Sequence, residues 1–79
     1  MPLYYFDHRD GDVLTISEAG VDLPNLDAAK VEAARALAVL AADVLPGVEA
    51  RELAIRARDA EGRALVQTVM RFEVQWLTG

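Results

Sequence analysis

Two alternating runs, separated by a polar turn, occupy residues 51–77, RELAIRARDAEGRALVQTVMRFEVQWL. In the first run Leu53, Ile55 and Ala57 share one face, and most of the charged residues lie on the other. In the second run, from Arg63 to Leu77, one face carries Val66, Met70, Phe72, Val74 and Trp76. A period of two is typical of strands that are buried on one face only. Residues 51–77 therefore predict an antiparallel hairpin with one apolar and one polar face.

The N-terminal part of the chain predicts two further strands. Leu3–Phe6 is apolar and aromatic, and the polar residues 7–12 contain an Asp-Gly step that indicates a hairpin turn. The second strand, Val13–Ser17, alternates so that Leu14 and Ile16 share its apolar face. We expect the four strands to form one antiparallel sheet.

A helix is predicted between the two pairs of strands. Residues 21–24 are expected to be short and extended, and Asn25 or Asp27 can cap the helix that follows. From Leu26 to Leu45 the apolar residues recur at helical spacing, with many alanines among them. Pro46-Gly47 then ends the helix, because proline cannot continue the hydrogen-bond ladder.

The order strand, strand, helix, strand, strand predicts an α+β fold. We expect a four-stranded antiparallel sheet with one helix packed on one face, and a single domain that spans residues 1–79. Helix periodicity and strand alternation converge on one predicted core, which consists of Phe6, Leu37, Leu40, Ile55, Met70, Phe72 and Val74.

Composition excludes several classes of function. The chain has no cysteine, so disulfides, thiol nucleophiles and cysteine-ligated metals are excluded. Its net charge of −5 disfavours non-specific binding to nucleic acid or to an anionic membrane. The first residues lack the pattern of a signal peptide, and no run is apolar enough to span a bilayer. We therefore expect a cytoplasmic location.

His8 is the only histidine, and it stands beside Asp7 and Asp10. General acid–base catalysis needs a second group across a pocket, and a histidine next to a turn supplies only half of that. The Asp7 to Asp12 segment also fails as a calcium loop, because Leu14 and Ile16 occupy ligand positions. A structural histidine and a solvated turn are expected, and no catalytic, cofactor-binding or metal-binding residue is assigned.

Five residues are candidates for contact with a partner: Trp76, Tyr5, Arg56, Arg58 and Arg71. The three arginines share the polar face of the last two strands, where a sheet could track a phosphate backbone. Tyr5 is the single ring available there for stacking, so cross-strand ion pairing is the favoured interpretation of this face. Trp76 is expected to be the lid of the core, with an anchor in a partner interface as the alternative.

Five segments carry a resemblance to a known family: YYFDHRDG at residues 4–11, GVDLP at 20–24, the alanine-rich helix at 28–42, RELAI at 51–55 and DAEGR at 59–63. They resemble a family of short bacterial proteins described only as a domain of unknown function. That resemblance covers nearly the whole chain and implies no activity or site.

The first half of the chain also resembles the HicB-type antitoxin domain more distantly. The shared features are an aromatic strand, an acidic turn with glycine, a second strand, Asp22-Leu23-Pro24 and an alanine-rich helix. This resemblance implies binding of a small toxin and self-association. The chain departs from the antitoxins at Asn25, where they have Gly-Cys, and it lacks an added DNA-binding segment.

The leading hypothesis is a non-enzymatic binding or protein-interaction module that self-associates and is antitoxin-like in its interactions. The last predicted strand is longer than its hairpin partner, so its excess must pair with the first strand or with a second copy of the chain. The expected partner is a second copy of the chain, which would form a homodimer, or another small protein. Two alternatives remain open: a small hydrolase or nuclease-like enzyme using His8 with Asp7 and Asp10, and a nucleic-acid binder using Arg56, Arg58 and Arg71.

Overall fold

The computed structural model describes residues 2–78, which contain five strands and one α-helix. The strands are β1 (Leu3–Asp10), β2 (Val13–Thr15), β3 (Val21–Asp22), β4 (Ala50–Arg58) and β5 (Ala64–Glu73). The helix α1 spans Leu26–Val44 and continues into a short 3-10 turn at Leu45–Gly47. The predicted α+β class, with one helix packed on an antiparallel sheet, is confirmed.

The sheet has the strand order β2-β1-β4-β5, and each neighbouring pair is antiparallel. β3 pairs with β1 as well, with Leu3 opposite Asp22 and Tyr4 opposite Val21. The observed sheet therefore has one strand more than the four that were predicted, and the additional strand is β3. The strand β1 lies inside the sheet, and β5 lies at its edge.

β1 continues through Asp10, although Asp7 to Asp12 was predicted to form the turn. Asp7, His8 and Arg9 instead pair with residues of β4. The turn itself is reduced to Gly11 and Asp12, and Gly11 has a φ of 60°. A positive φ at the first of two loop residues is typical of a type II′ hairpin, and it favours glycine.

The core lies between α1 and one face of the sheet. Phe6, Leu37 and Ile55 are buried as predicted, and Leu53 is fully buried. The other predicted core residues, Leu40, Met70, Phe72 and Val74, are only half-buried. The reason for the last three is topological, since β5 and its continuation lie at the sheet edge and have a neighbouring strand on one side only.

The helix lies close to the sheet because its inner face is built from small residues. Ala29 and Ala33 are fully buried, and Leu37 and Ala41 continue the same stripe. Asn25 caps the first turn, since its Oδ1 accepts a hydrogen bond from the backbone N–H of Ala28 at 2.9 Å. The predicted helix, Leu26 to Leu45, is one residue longer than the observed one.

The prediction for the second strand was wrong in its orientation. Leu14 pairs with Arg9 and lies on the sheet face opposite to α1, whereas Thr15 pairs with His8. The two-residue loop fixes this register, and a one-residue change of register exchanges the two faces of a strand. Leu14 and Ile16 are exposed, and Val13 and Thr15 on the other face of β2 are exposed as well.

Candidate interaction surface

The face of the sheet opposite to α1, called the open face below, carries a buried ion pair. Asp7 is 3% exposed and is the one charged residue buried among residues 2–78. Its Oδ2 accepts a hydrogen bond from Arg58 Nε at 2.9 Å, and its Oδ1 accepts one from the Ser17 backbone N–H at 2.9 Å. Arg58 Nη2 donates to the Ser17 carbonyl at 2.6 Å. These bonds fasten the loop between β2 and β3 to the sheet.

Tyr5 takes part in the same arrangement. The guanidinium carbon of Arg58 lies 4.8 Å from the centre of the Tyr5 ring, which is a cation–π contact. On the loop side Gly20 approaches so closely that a Cβ at this position would lie 3.1 Å from Tyr5 Cζ. The ring is half-buried by these internal contacts, which leaves little of it for stacking on a ligand.

A second ion-pair row crosses three strands of the open face. Glu52 accepts hydrogen bonds from Arg9 Nη2 at 2.9 Å and from Arg71 Nε at 2.7 Å. The hydrogen bond from Arg71, followed by the one from Arg9, holds the pKa of the Glu52 carboxyl below its usual value of 4.5. Glu52 in turn raises the pKa of Arg71. Glu52 and Arg71 therefore keep their opposite charges across the neutral pH range.

The structure brings the three predicted arginines onto the open face, but it does not leave them as a basic patch. Arg58 is paired with Asp7, and Arg71 is paired with Glu52. Arg56 is exposed and donates through Nε to Gln67 Oε1 at 3.2 Å. Among the described residues, cross-strand ion pairing is thus observed for Arg58 and Arg71 but not for Arg56, and a role of the three arginines in contacting a partner stays a prediction.

His8 does not meet the carboxylate of Asp7. Adjacent residues of a strand point to opposite faces, so His8 lies on the α1 side while Asp7 lies on the open face. Asp10 shares the side of His8, but its carboxylate is paired with Arg51. His8 itself lines an open groove with Glu32, Arg35, Ala36, Val39, Leu40 and Asp43 of α1.

The described residues also define what the site can hold. Within residues 2–78, no three histidine, aspartate or glutamate side chains are grouped closely enough to hold a metal ion. Among residues 2–78, no helix combines the length and the apolar character that crossing a membrane requires. The expected cytoplasmic location stays a prediction.

The outer edge of β5 is the longest exposed strand edge of the sheet. The strand has ten residues, and within residues 2–78 it pairs with β4 alone. The backbone N–H of Val74 donates to the Glu49 carbonyl at 2.7 Å, so even-numbered residues direct their backbone groups toward β4. The direction alternates along an antiparallel ladder, so the groups of Gln67, Val69, Arg71 and Glu73 point outward.

An apolar groove runs along this edge on the α1 side. It has a volume of about 560 Å³ and is lined by Ala38, Ala41, Ala42, Leu45, Pro46, Met70 and Phe72. The sequence analysis missed this groove. Its signal was the repeat of alanine at positions 34, 38 and 42, which forms a second apolar flank of α1 beside the buried stripe.

Trp76 is not the lid of the core, and that prediction was wrong. The side chain is 76% exposed and its neighbour Leu77 is 90% exposed. The physical reason is that β5 ends at Glu73 rather than at Leu77, so Trp76 lies beyond the strand. Its indole N–H donates to Glu49 Oε2 at 2.8 Å, and this hydrogen bond satisfies the polar atom of the ring.

The comparisons with known proteins give one family. Residues 3–72 of the chain match the family described as Domain of unknown function (DUF6894), and the chain belongs to that family. Searches of curated proteins and of solved structures gave no significant match. The predicted family of unknown function is thus confirmed, whereas the likeness to the HicB-type antitoxin domain is not shown and stays a prediction.

Proposed function

We propose that this DUF6894 domain is a protein-interaction module whose partner is a second copy of itself, bound along the outer edge of β5. The observation that carries the proposal is that this unpaired edge lies directly beside the apolar groove. A long unpaired edge attracts other strands, and natural proteins cover it or interrupt it. β5 contains neither proline nor glycine, and its register with β4 shifts only near Leu65, so residues 66–73 form an uninterrupted edge.

The fold removes the alternative that the first strand covers this edge. β1 lies between β2 and β4, so both of its edges are occupied and it does not reach β5. The outward N–H and C=O groups of β5 are therefore left for a strand from outside the chain. Extended segments that add to a sheet edge in this way obtain affinity from main-chain hydrogen bonds.

The side chains of β5 favour a second copy over an unrelated strand. Arg71 and Glu73 flank Phe72, so a two-fold axis through Phe72 places Arg71 of each copy opposite Glu73 of the other. Both residues direct their backbone groups outward, as a hydrogen-bonded pair requires. An axis through Val69 would instead place Arg71 opposite Gln67 and Glu73 opposite Leu65, with no opposite charges aligned.

Arg71 retains the atoms that such an ion pair needs. Its Nε donates to Glu52 within the chain, while the side chain as a whole is 82% exposed. The terminal guanidinium nitrogens can thus reach a carboxylate of the second copy. Opposite charges directly across an antiparallel pair stabilise it modestly and select the register.

The same axis closes the apolar groove on the α1 side. Phe72 of the two copies meet, and Met70 of each lies opposite Val74 of the other. These three side chains are half-buried in the single chain, so pairing completes their burial. The alanine flank of α1 above them is shallow enough for the helices of the two copies to approach.

The other hypotheses have less support. Acid–base catalysis by His8 with Asp7 is opposed by their placement on opposite faces of the sheet. Binding of nucleic acid through Arg58 and Arg71 is opposed by their carboxylate partners and by the net charge of −5.

Sedimentation velocity at micromolar concentrations tests the proposal. We expect a species of twice the chain mass of 8.6 kDa that dissociates on dilution. Val69→Pro should abolish it, because the N–H of Val69 points outward and proline removes this donor without removing a bond to β4. Circular dichroism should show unchanged helix content in this variant.

Leu14→Pro is a matched control at the opposite edge of the sheet. Asp10 and Val13 flank a two-residue loop, so the backbone groups of Leu14 point away from β1. This variant loses an equivalent outward donor and should remain dimeric. A single species near 8.6 kDa at all concentrations would contradict the proposal, as would a dimer that persists in Val69→Pro.

A further inference from the structure

We infer that residues 74–77 of one copy become a strand on the other copy, with Trp76 anchored on the partner's apolar groove. The inference rests on the proposed dimer and names the part of the second copy that occupies the groove. Trp76 lies outside residues 3–72 that match the family, so the inference concerns this chain in particular.

In residues 74–77 the sequence pattern and the structure differ. The alternation of β5 continues through them, since Val74 and Trp76 follow Met70 and Phe72 at even positions. The strand nevertheless ends at Glu73, and beyond it the backbone N–H of Val74 still bonds to the Glu49 carbonyl. β4 begins at Ala50, so beyond Glu49 the sheet offers these residues no partner on that side.

The register set by Arg71 and Glu73 places residues 74–77 along the edge of the second copy. If Arg71 pairs with Glu73 of the second copy, the next residues follow without a break. Val74 then lies opposite the partner's Met70, and Trp76 lies opposite the partner's Thr68. The outer edge of the partner's β5 thus supplies the missing strand, and residues 74–77 acquire main-chain hydrogen bonds.

Trp76 falls on the α1 side of the sheet. Even positions of β5 face α1, so the indole, opposite the partner's Thr68, lies next to the Met70 end of the partner's apolar groove. Its N–H already donates to Glu49 at 2.8 Å, which leaves the carbon surface of the ring to be buried. Leu77 falls on the open face, opposite the partner's Gln67, and meets no apolar groove there.

Tryptophan fluorescence tests the inference directly, because Trp76 is the only tryptophan in the chain. As concentration rises through the range in which sedimentation shows the dimer forming, its emission should shift to shorter wavelength and iodide should quench it less. Val69→Pro should keep the long-wavelength emission of an exposed indole at every concentration.

Substitutions separate the two exposed side chains. Trp76→Ala should raise the dimer Kd about tenfold or more, because a buried tryptophan is a common hot spot of an interface. Leu77→Ser, a change at an even more exposed neighbour, should raise it much less. When each substitution is combined with Val69→Pro, the double variant should have the same helix content and the same urea midpoint as the Val69→Pro monomer.

The outcomes distinguish the two proposals. A dimer whose emission stays at long wavelength, or whose Kd is unchanged by Trp76→Ala, overturns the inference and leaves the dimer in place. Absence of the dimer in sedimentation overturns both. If Leu77→Ser raised the dimer Kd more than Trp76→Ala did, the open-face side of residues 74–77 would contact the partner. That result would also overturn the inference.

Discussion

Asp7 and Arg58 form an ion pair across neighbouring strands, with 2.9 Å between Oδ2 and Nε, and the loop at Ser17 closes over it. The pair lies between residues 51 positions apart in the sequence. It therefore joins the first strand of the fold to the hairpin at the other end, beneath a loop that helps to bury the Asp7 carboxylate.

Asp7→Asn should destabilise the domain by about 3 kcal/mol, because it leaves the shielded Arg58 without its carboxylate. Asparagine keeps the size of the side chain, so the loss reports on the charge pair. Urea denaturation of the two proteins measures it. Glu32→Gln, which removes the exposed ion pair with Arg35, is the control and should cost about 0.5 kcal/mol or less. Equal effects of the two substitutions would contradict the prediction.

Leu53→Ala should cost about 3–5 kcal/mol, because Leu53 is fully buried between α1 and the centre of the sheet. Leu40, which the sequence placed in the core, is half-buried, and Leu40→Ala should cost about 2 kcal/mol or less. Denaturant melts of both variants rank the two positions. A greater loss for Leu40→Ala would mean that α1 presents a different face to the sheet.

Much of this fold could be predicted from local pattern alone. The spacing of apolar residues gave α1 to within one residue, and the alternation of residues 51–58 gave β4 and its buried face. Both predictions rest on short-range periodicity, which a single sequence displays directly.

The extension of β1 through residues 7–10 could not be predicted in the same way. Polar residues at these positions look like a turn until their partners are known. Arg58 neutralises Asp7 and Glu52 neutralises Arg9, and both partners are more than 40 residues away. The free edge of β5 was equally hidden, because it depends on strand order, and the sequence left open whether β1 or a second copy would pair there.

Acid should destabilise the domain through two carboxyl groups. Glu52 has its pKa held below 4.5 by Arg71 and Arg9, and Asp59 has its pKa held below 3.8, first by the backbone N–H of Arg63. The folded state thus binds fewer protons than the unfolded state at low pH. The stability that these groups contribute is present above those values and is lost as the pH falls through the lowered pKa values.

In Glu52→Gln the free energy of unfolding should therefore fall less steeply as the pH drops below 4.5, because glutamine does not titrate. Urea midpoints above and below this pH give the difference for each protein. Added salt should weaken the effect, since the row of Arg9, Glu52 and Arg71 is open to solvent. An acid dependence identical to that of the original chain would show that Glu52 has no lowered pKa.

Phe72→Cys should form a disulfide between two copies under mild oxidation. With the two-fold axis through Phe72, the two residues are a non-hydrogen-bonded antiparallel pair, whose Cα atoms lie about 4.5 Å apart. That separation is within the range of disulfides. The chain has no cysteine of its own, so every crosslink arises from the introduced residue. Non-reducing electrophoresis counts the crosslinked dimer.

Val69→Cys is the matched control for this register. Val69 lies opposite Gln75 of the second copy, so the two Val69 residues are separated by six positions, roughly 20 Å along the strand. Cysteines at that distance cannot join without moving the backbone, and Val69→Cys should stay uncrosslinked under the same oxidation. Faster crosslinking at Val69 than at Phe72 would show that the two-fold axis passes through Val69. In that register Arg71 does not lie opposite Glu73, so the result would contradict the proposed pairing.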